Sequence, residues 1–218
     1  AQELRKATGD AEYTRIIDEK ITEVRRDFVK DEYRCVLENV GPNGEFIDHY
    51  DFRQITPGHG IEVAWFILRE AAERQNDTDL VELGCKILDY QWEQGWDSEH
   101  GGILYYRDAR GLTSPEYWQD MKFWWPHNEA EIATLMAYRL TGDIRYAEWF
   151  EKVHTWSFVH FPDPKFGEWY GYLNRAGEPT SKLKGNLFKG PFHLPRMLLV
   201  CMEQLTAFTD GITKWPLG

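Results

Sequence analysis

The feature that most constrains this chain is a threefold recurrence. A helical stretch is followed by a Gly- and aromatic-rich stretch, and then by a histidine that opens another helical stretch. The histidines are His59, His127 and His193, separated by 68 and 66 residues. A period near 67 is two helices plus a long connection. In the first unit Ile16, Ile17, Ile21, Val24 and Phe28 recur at helical spacing, which predicts an outer helix over about 11–29. The stretch NVGPNGEFIDHYDFRQITPG carries the turn dipeptides Pro42-Asn43 and Asn43-Gly44, so it reads as loop and short strands. From His59, the series Ile61, Ala64, Trp65, Leu68 and Ala72 predicts an inner helix ending near Gln75.

The later units repeat this order. An outer helix is expected over 79–92, capped by Asp77 or Thr78. The irregular segment GWDSEHGGILYYRDARG follows, then an inner helix over 128–140 and an outer helix over 143–158. The third unit has FPDPKFGEWYGYLNRAGEPT and an inner helix over 193–208. Asp97, Gly102 and Tyr105 look like the same small β-hairpin as Asp163, Gly167 and Tyr170. Segments such as LMAYRL and MLLVCM are apolar nearly all round and need cover on both sides, which a ring of helices inside a second ring provides. The expectation is an all-α chain of three αα-hairpins, one domain over 1–218, forming half of a six-hairpin ring. Half a ring exposes more apolar surface than a monomer tolerates. The chain also begins without Met, so a missing half, or a second chain, is expected to complete it.

Composition narrows the function. A net charge of −11 repels phosphate backbones and anionic membranes, and the longest basic cluster, Arg25-Arg26, is flanked by Glu23 and Asp27. Three scattered cysteines suggest neither a disulfide framework nor a zinc knuckle, and point to a reducing cytoplasm. No apolar run reaches the ~18 residues of a membrane span, and AQELRKATGD lacks a signal-peptide core. Aromatic residues make up 15% of the chain, with ten Trp, offering flat surfaces on which sugar C–H faces stack.

Three elements sit where the long loops meet the inner helices, and all three histidines are expected to converge at one mouth. In Pro57-Gly58-His59-Gly60-Ile61-Glu62, His59 and Glu62 are three apart on a helix face. A carboxylate there would set the tautomer of a general base. In Lys122-Phe123-Trp124-Trp125-Pro126-His127-Asn128-Glu129, the paired indoles suit a stacking platform. In Lys189-Gly190-Pro191-Phe192-His193-Leu194-Pro195-Arg196, Arg196 follows His193 by one turn and is positioned for an anion or a carbonyl.

PGHGIE, KFWWPHNEA, FGEWYGYL and FKGPFHLPR, in this order and covering about residues 9–208, resemble the N-acylglucosamine 2-epimerases, a family that includes renin-binding protein. The resemblance implies an (α/α)6 barrel of which this is the C-terminal half. It also implies interconversion of N-acetylglucosamine and N-acetylmannosamine through loss and return of the C2 proton. By motif, His59 and His193 are the acid/base pair and Glu129 positions the sugar hydroxyls or assists ring opening. Trp124 and Trp125 stack on the sugar, Glu62 orients His59, and Arg196 contacts substrate. An Arg that stabilises the enediolate is expected from the N-terminal half. No metal or redox cofactor is needed for the chemistry. ATP as an allosteric activator and a homodimer are compatible with the resemblance, although no phosphate-binding Gly loop is present. Cellobiose 2-epimerases and mannose isomerases place a His where this chain has Phe123, which favours the N-acylglucosamine branch. A non-catalytic renin-binding-type protein and a glycosidase using Glu62 and Glu129 are the other readings.

Overall fold

The computed structural model of the protein describes residues 1–209 and 215–216. Its helices are α1 (Gln2–Thr8), α2 (Glu12–Glu23), α3 (Tyr50–Arg53), α4 (Pro57–Glu73), α5 (Thr78–Gly95), α6 (Trp124–Thr141), α7 (Ile144–His160) and α8 (His193–Thr209). A π-helical turn, Val24–Phe28, continues α2. The six expected main helices are present as α2, α4, α5, α6, α7 and α8. The packed hairpins are α4 with α5 and α6 with α7, and α4, α6 and α8 lie side by side as the inner set. Helix α6 is central, packing against α4, α7 and α8, and every residue from Trp124 to Tyr138 is buried. A helix covered on all sides is apolar nearly all round in its C-terminal half, from Ile132 to Tyr138, while its first turns bury His127, Asn128, Glu129 and Glu131 as well.

Strands are confined to the long connections and pair antiparallel in twos: β1 (Val29–Lys30) with β2 (Cys35–Val36), β3 (Gln54–Ile55) with β4 (Arg107–Asp108), and β5 (Lys122–Phe123) with β6 (Tyr172–Leu173). The last two pairs tie the connection of one hairpin to that of the next. Among the described residues no helix is long and apolar enough to cross a membrane.

Two local devices recur. Thr8-Gly9-Asp10 closes α1 and starts α2, and Thr141-Gly142-Asp143 does the same between α6 and α7. In each, the Thr hydroxyl donates to the carbonyl four residues back and accepts the Asp N–H, and Asp Oδ1 accepts an N–H two residues on. The glycines hold the left-handed conformation, with φ of 72° and 70°. Helix α1 thus stands to α2 as α6 stands to α7. It lies beside α4, where Gln2 Nε2 donates to the Phe66 carbonyl and Arg5 pairs with Glu70.

The second device is the hairpin expected twice. Asp97 Oδ1 accepts from the N–H groups of Glu99 and His100, and Asp163 Oδ1 from those of Lys165 and Phe166. A lysine clamps each turn: Lys122 binds Asp97 and the Gly101 carbonyl, and Lys184 binds Asp163 and the Gly167 carbonyl. The counterpart of Gly167 is therefore Gly101, whereas Gly102 corresponds to Glu168, a non-glycine residue at φ 60°.

One expectation fails. His127 does not open onto the mouth with the other two histidines but is fully buried against Trp156 and Phe161. Its Nδ1 donates to the Phe123 carbonyl and its Nε2 accepts from the N–H of Ile103, which fixes a neutral tautomer. Satisfying the buried backbone N–H of Ile103, in the Asp97 hairpin, turns this ring away from the inner face. Burial pushes its pKa down to about 3. The folded value lies below the unfolded one of ~6.5, so the native state loses stability as pH falls from there, by about 1.4 kcal/mol per unit. Urea unfolding at a series of pH values should show this decline. A His127→Gln variant, less stable at pH 7, should decline less between pH ~6.5 and ~4.

Candidate active site

At the open end of the inner helices a single buried carboxylate gathers three elements. Glu129, in the second turn of α6, is completely buried. Its Oε2 accepts from Trp65 Nε1 of α4 at 2.7 Å, and its Oε1 accepts from Arg196 of α8 at 2.6 Å. The same Oε1 lies 2.7 Å from His193 Nδ1. A carboxylate can only accept, so His193 Nδ1 carries the proton and Nε2 keeps its lone pair. Arg196 Nη2 also binds Glu62, so one guanidinium nitrogen joins the carboxylates of α4 and α6.

His59 has the same design with a different partner. Its Nδ1 meets Glu38 in a short hydrogen bond, again leaving Nε2 as the free nitrogen. Burial pulls the His59 pKa down, but Glu38, with Glu62 and Glu129 farther off, outweighs it and leaves the group above its ordinary value. Trp125 is in ring contact with both imidazoles, with centroids 4.8 Å from His59 and 5.6 Å from His193. Both glycines of PGHGIE are required by packing. A Cβ on Gly58 would come within 2.7 Å of the Trp125 ring, and one on Gly60 within 2.4 Å of Gln91.

The structure thus brings His59, His193, Glu129, Trp125, Glu62 and Arg196 into one cluster but redistributes several roles. Glu62 does not orient His59: it pairs with Arg196, and Glu38 takes the position at Nδ1. A glutamate 21 residues upstream of its histidine has no helical periodicity to mark it. Arg196, expected to meet substrate, is committed to Glu62 and Glu129 and sits over the Trp65 and Phe192 rings. Trp125 is the indole that both histidines touch. Trp124 lies behind it, 2% exposed, edge-on to Tyr172 and His193 with Lys189 over its ring.

Glu62, Glu129 and His193 present ligand-type atoms within 4.8 Å of one another, the spacing of a metal site. The Arg196 guanidinium already supplies the positive charge there. The glycosidase reading is weakened by the same contacts. With Trp65, His193 and Arg196 all bonded to its oxygens, Glu129 has little capacity left for the part of a glycosidase carboxylate.

The N-acylglucosamine 2-epimerase (GlcNAc 2-epimerase) family model matches residues 3–189. The chain belongs to this family. It is 44% identical over 172 residues to the N-acylglucosamine 2-epimerase of Bos taurus, a match covering 79% of this chain and 41% of the relative. It is 42% identical over 175 residues to that of Homo sapiens, covering 80% and 41%. The chain therefore spans less than half the length of these relatives. A solved D-mannose isomerase superposes with a TM-score of 0.78 at 21% identity, over 93% of this chain and 52% of its own, and shows the shared fold of an (α/α)6 toroid. The family match stops before His193, yet His193 is bonded to Glu129, which lies inside it.

The His59–Glu38 pair makes a test available without substrate. In a Glu38→Gln variant the largest upward influence on His59 is removed, so its imidazole titration followed by NMR should move to lower pH. Because the native pKa is raised, the pair stabilises the fold fully below ~6.5 and progressively less as pH rises through the native value. The stability cost of Glu38→Gln should therefore be larger at pH 6 than at pH 9. An unchanged His59 titration would remove Glu38 from this role.

Proposed function

We propose that the protein carrying this chain interconverts N-acetyl-D-glucosamine and N-acetyl-D-mannosamine, with His59 and His193 exchanging the C2 proton. The observation that carries this reading is the symmetry of the two histidines. Each has a carboxylate at Nδ1 and an unengaged Nε2, and both rings are in contact with one indole, that of Trp125. In the open-chain aldehyde, one Nε2 takes the C2 proton and the electrons move to O1, giving an enolate. The other histidine, protonated, returns a proton to the opposite face. A reference pKa near ~6.5 lets each imidazole act as base in one direction and acid in the other.

Trp125 offers the apolar floor against which the chain of the sugar lies between the two bases. Glu129 acts by holding His193 in its tautomer and by fixing Arg196. Glu129 can only accept, and Arg196 bonds Glu62 and Glu129 through Nη2, so a donor to O1 is expected from polypeptide outside this chain. No metal or redox cofactor enters the steps assigned here. Control by ATP, homodimer formation, a cytoplasmic location and a place in carbohydrate metabolism belong to the same reading.

The length of the relatives supports a second part of it. An apolar groove of about 740 Å³ runs between α2, α4 and α8, lined by Ile17, Ile21, Val63, Phe66 and Leu199 among others. In the whole protein, further hairpins are expected to cover it. Full epimerase activity in a monodisperse 25.7 kDa monomer would contradict this.

The mechanistic test uses the complete protein. His59→Asn and His193→Asn should each abolish net epimerisation, by at least ~10²-fold. Each variant should still exchange the C2 proton of one epimer with solvent deuterium, and the two variants should differ in which epimer. Interconversion at near wild-type rates in both would refute the pair.

A further inference from the structure

The buried carboxylates of this chain do not all find the same kind of partner. Glu129 accepts from Trp65, His193 and Arg196, and Glu70 from Gln2, Arg5 and Arg74. Asp97 accepts from two backbone N–H groups, Lys122 and Arg175. Each of the three has an arginine among its partners, a cation that keeps its charge at every ordinary pH. Glu131, on α6 two residues beyond Glu129, has none. It is 1% exposed, its Oε2 meets only His154 Nδ1 of α7 at 2.9 Å, and its Oε1 is buried without a hydrogen bond. His154 is half-buried, lying against the Phe150 and Phe158 rings of its own helix. Among the described residues, the other titratable groups facing the pair are Glu151 on α7, whose Oε1 accepts from Trp215, and the Cys201 thiol on α8. Neither is a cation. The charge of Glu131 is therefore compensated by one proton, carried on a ring that water reaches.

We propose that Glu131 and His154 form an alkali-sensitive latch: with the shared proton in place α7 is held on α6, and its loss loosens the C-terminal half of α7. The hydrogen bond itself survives deprotonation, because a neutral imidazole with its proton on Nδ1 still donates to Oε2. What disappears is the positive charge, and a carboxylate is left in the interior with one oxygen unbonded. Acid has no such effect. A second proton falls on Glu131, and the remaining positive charge sits on the half-exposed ring, where water solvates it. Burial raises the Glu131 pKa, and the hydrogen bond to Glu131 raises that of His154. Both shifts are upward, so the native state holds the shared proton more tightly than the unfolded chain does. The stabilisation is full below ~6.5 and is lost as pH rises through the native value of His154, the opposite sign to His127. The loosened half of α7 carries Trp156, which stacks on His127 and donates to the His100 carbonyl. His127 in turn accepts the N–H of Ile103. Release of α7 thus reaches the first turns of α6, which hold Trp125 and Glu129.

The test needs no substrate and uses the complete protein. Amide hydrogen exchange over residues 153–160 is measured at pH 6 and pH 9 and corrected for intrinsic exchange, beside the His154 titration by NMR. In wild type the protection of this stretch should fall by about tenfold or more between the two pH values, with α5 largely unchanged. Glu131→Gln keeps an acceptor for His154 but carries no charge. It should retain most of that protection at pH 9, show a smaller fall in urea midpoint than wild type over the same range, and move the His154 titration to lower pH. His154→Gln leaves Glu131 without a chargeable partner at any pH, so its α7 protection should already be low at pH 6 and change little thereafter. An equal alkaline decline in wild type and Glu131→Gln, or a His154 titration unmoved by that substitution, overturns the latch. Should neither variant fold, wild type alone still decides. Loss of α7 protection that follows the His154 titration supports the latch, and loss at a different pH, or none, overturns it.

Discussion

A fully buried carboxylate cannot remain charged without partners, and the way Glu129 finds them organises the inner helices. Its oxygens face Trp65 from α4, and His193 and Arg196 from α8, so the central helix α6 draws its two neighbours onto one residue. Arg196 closes the arrangement by reaching Glu62 on α4. Removing one member of such a group leaves a charge stranded away from water, which is far more damaging than the net stabilisation the intact group provides. The same bonds that satisfy Glu129 also set the His193 tautomer, so under the proposed mechanism a requirement of folding and one of proton transfer are met by one set of contacts.

The two histidines are alike in design and unlike in surroundings. The carboxylate behind His193 is inaccessible and shared with two other donors, whereas Glu38 lies on a connection and holds His59 alone. The side chain of His59 is 55% exposed and that of His193 21%. Solvent screens the first pair and not the second. In the proposed exchange, which runs in both directions across one intermediate, the two bases would thus work in unlike surroundings.

The helical architecture was legible in sequence because each inner helix carries a long apolar run opened by His or Pro. Asp77 and Asp143 mark the outer starts as N-caps. His59, His193 and Glu129 could be picked out because each begins or follows a helix start within a distinctive motif. The remaining assignments depended on tertiary geometry. His127 occupies the same place in its unit as the other histidines, but it alone faces a backbone N–H of the adjacent hairpin. Glu62 is correctly spaced to serve His59 along a helix, yet the stronger charge of Arg196 is within its reach. Glu38 comes from a connection whose path is set by the β1–β2 pair, and nothing in its neighbours in sequence distinguishes it.

The Thr-Gly-Asp joints at 8–10 and 141–143 have a further consequence. The joint's capping bonds lie within a span of a few residues, so it carries its own geometry wherever it is placed. A ring assembled from units with self-sufficient joints can grow by duplication, since copying a hairpin copies the instruction for attaching the next one. For the same reason these joints are natural seams for recombining hairpins between related rings: a cut placed there leaves the capping bonds on either side to re-form locally, and what must be matched is the packing of the inner helices.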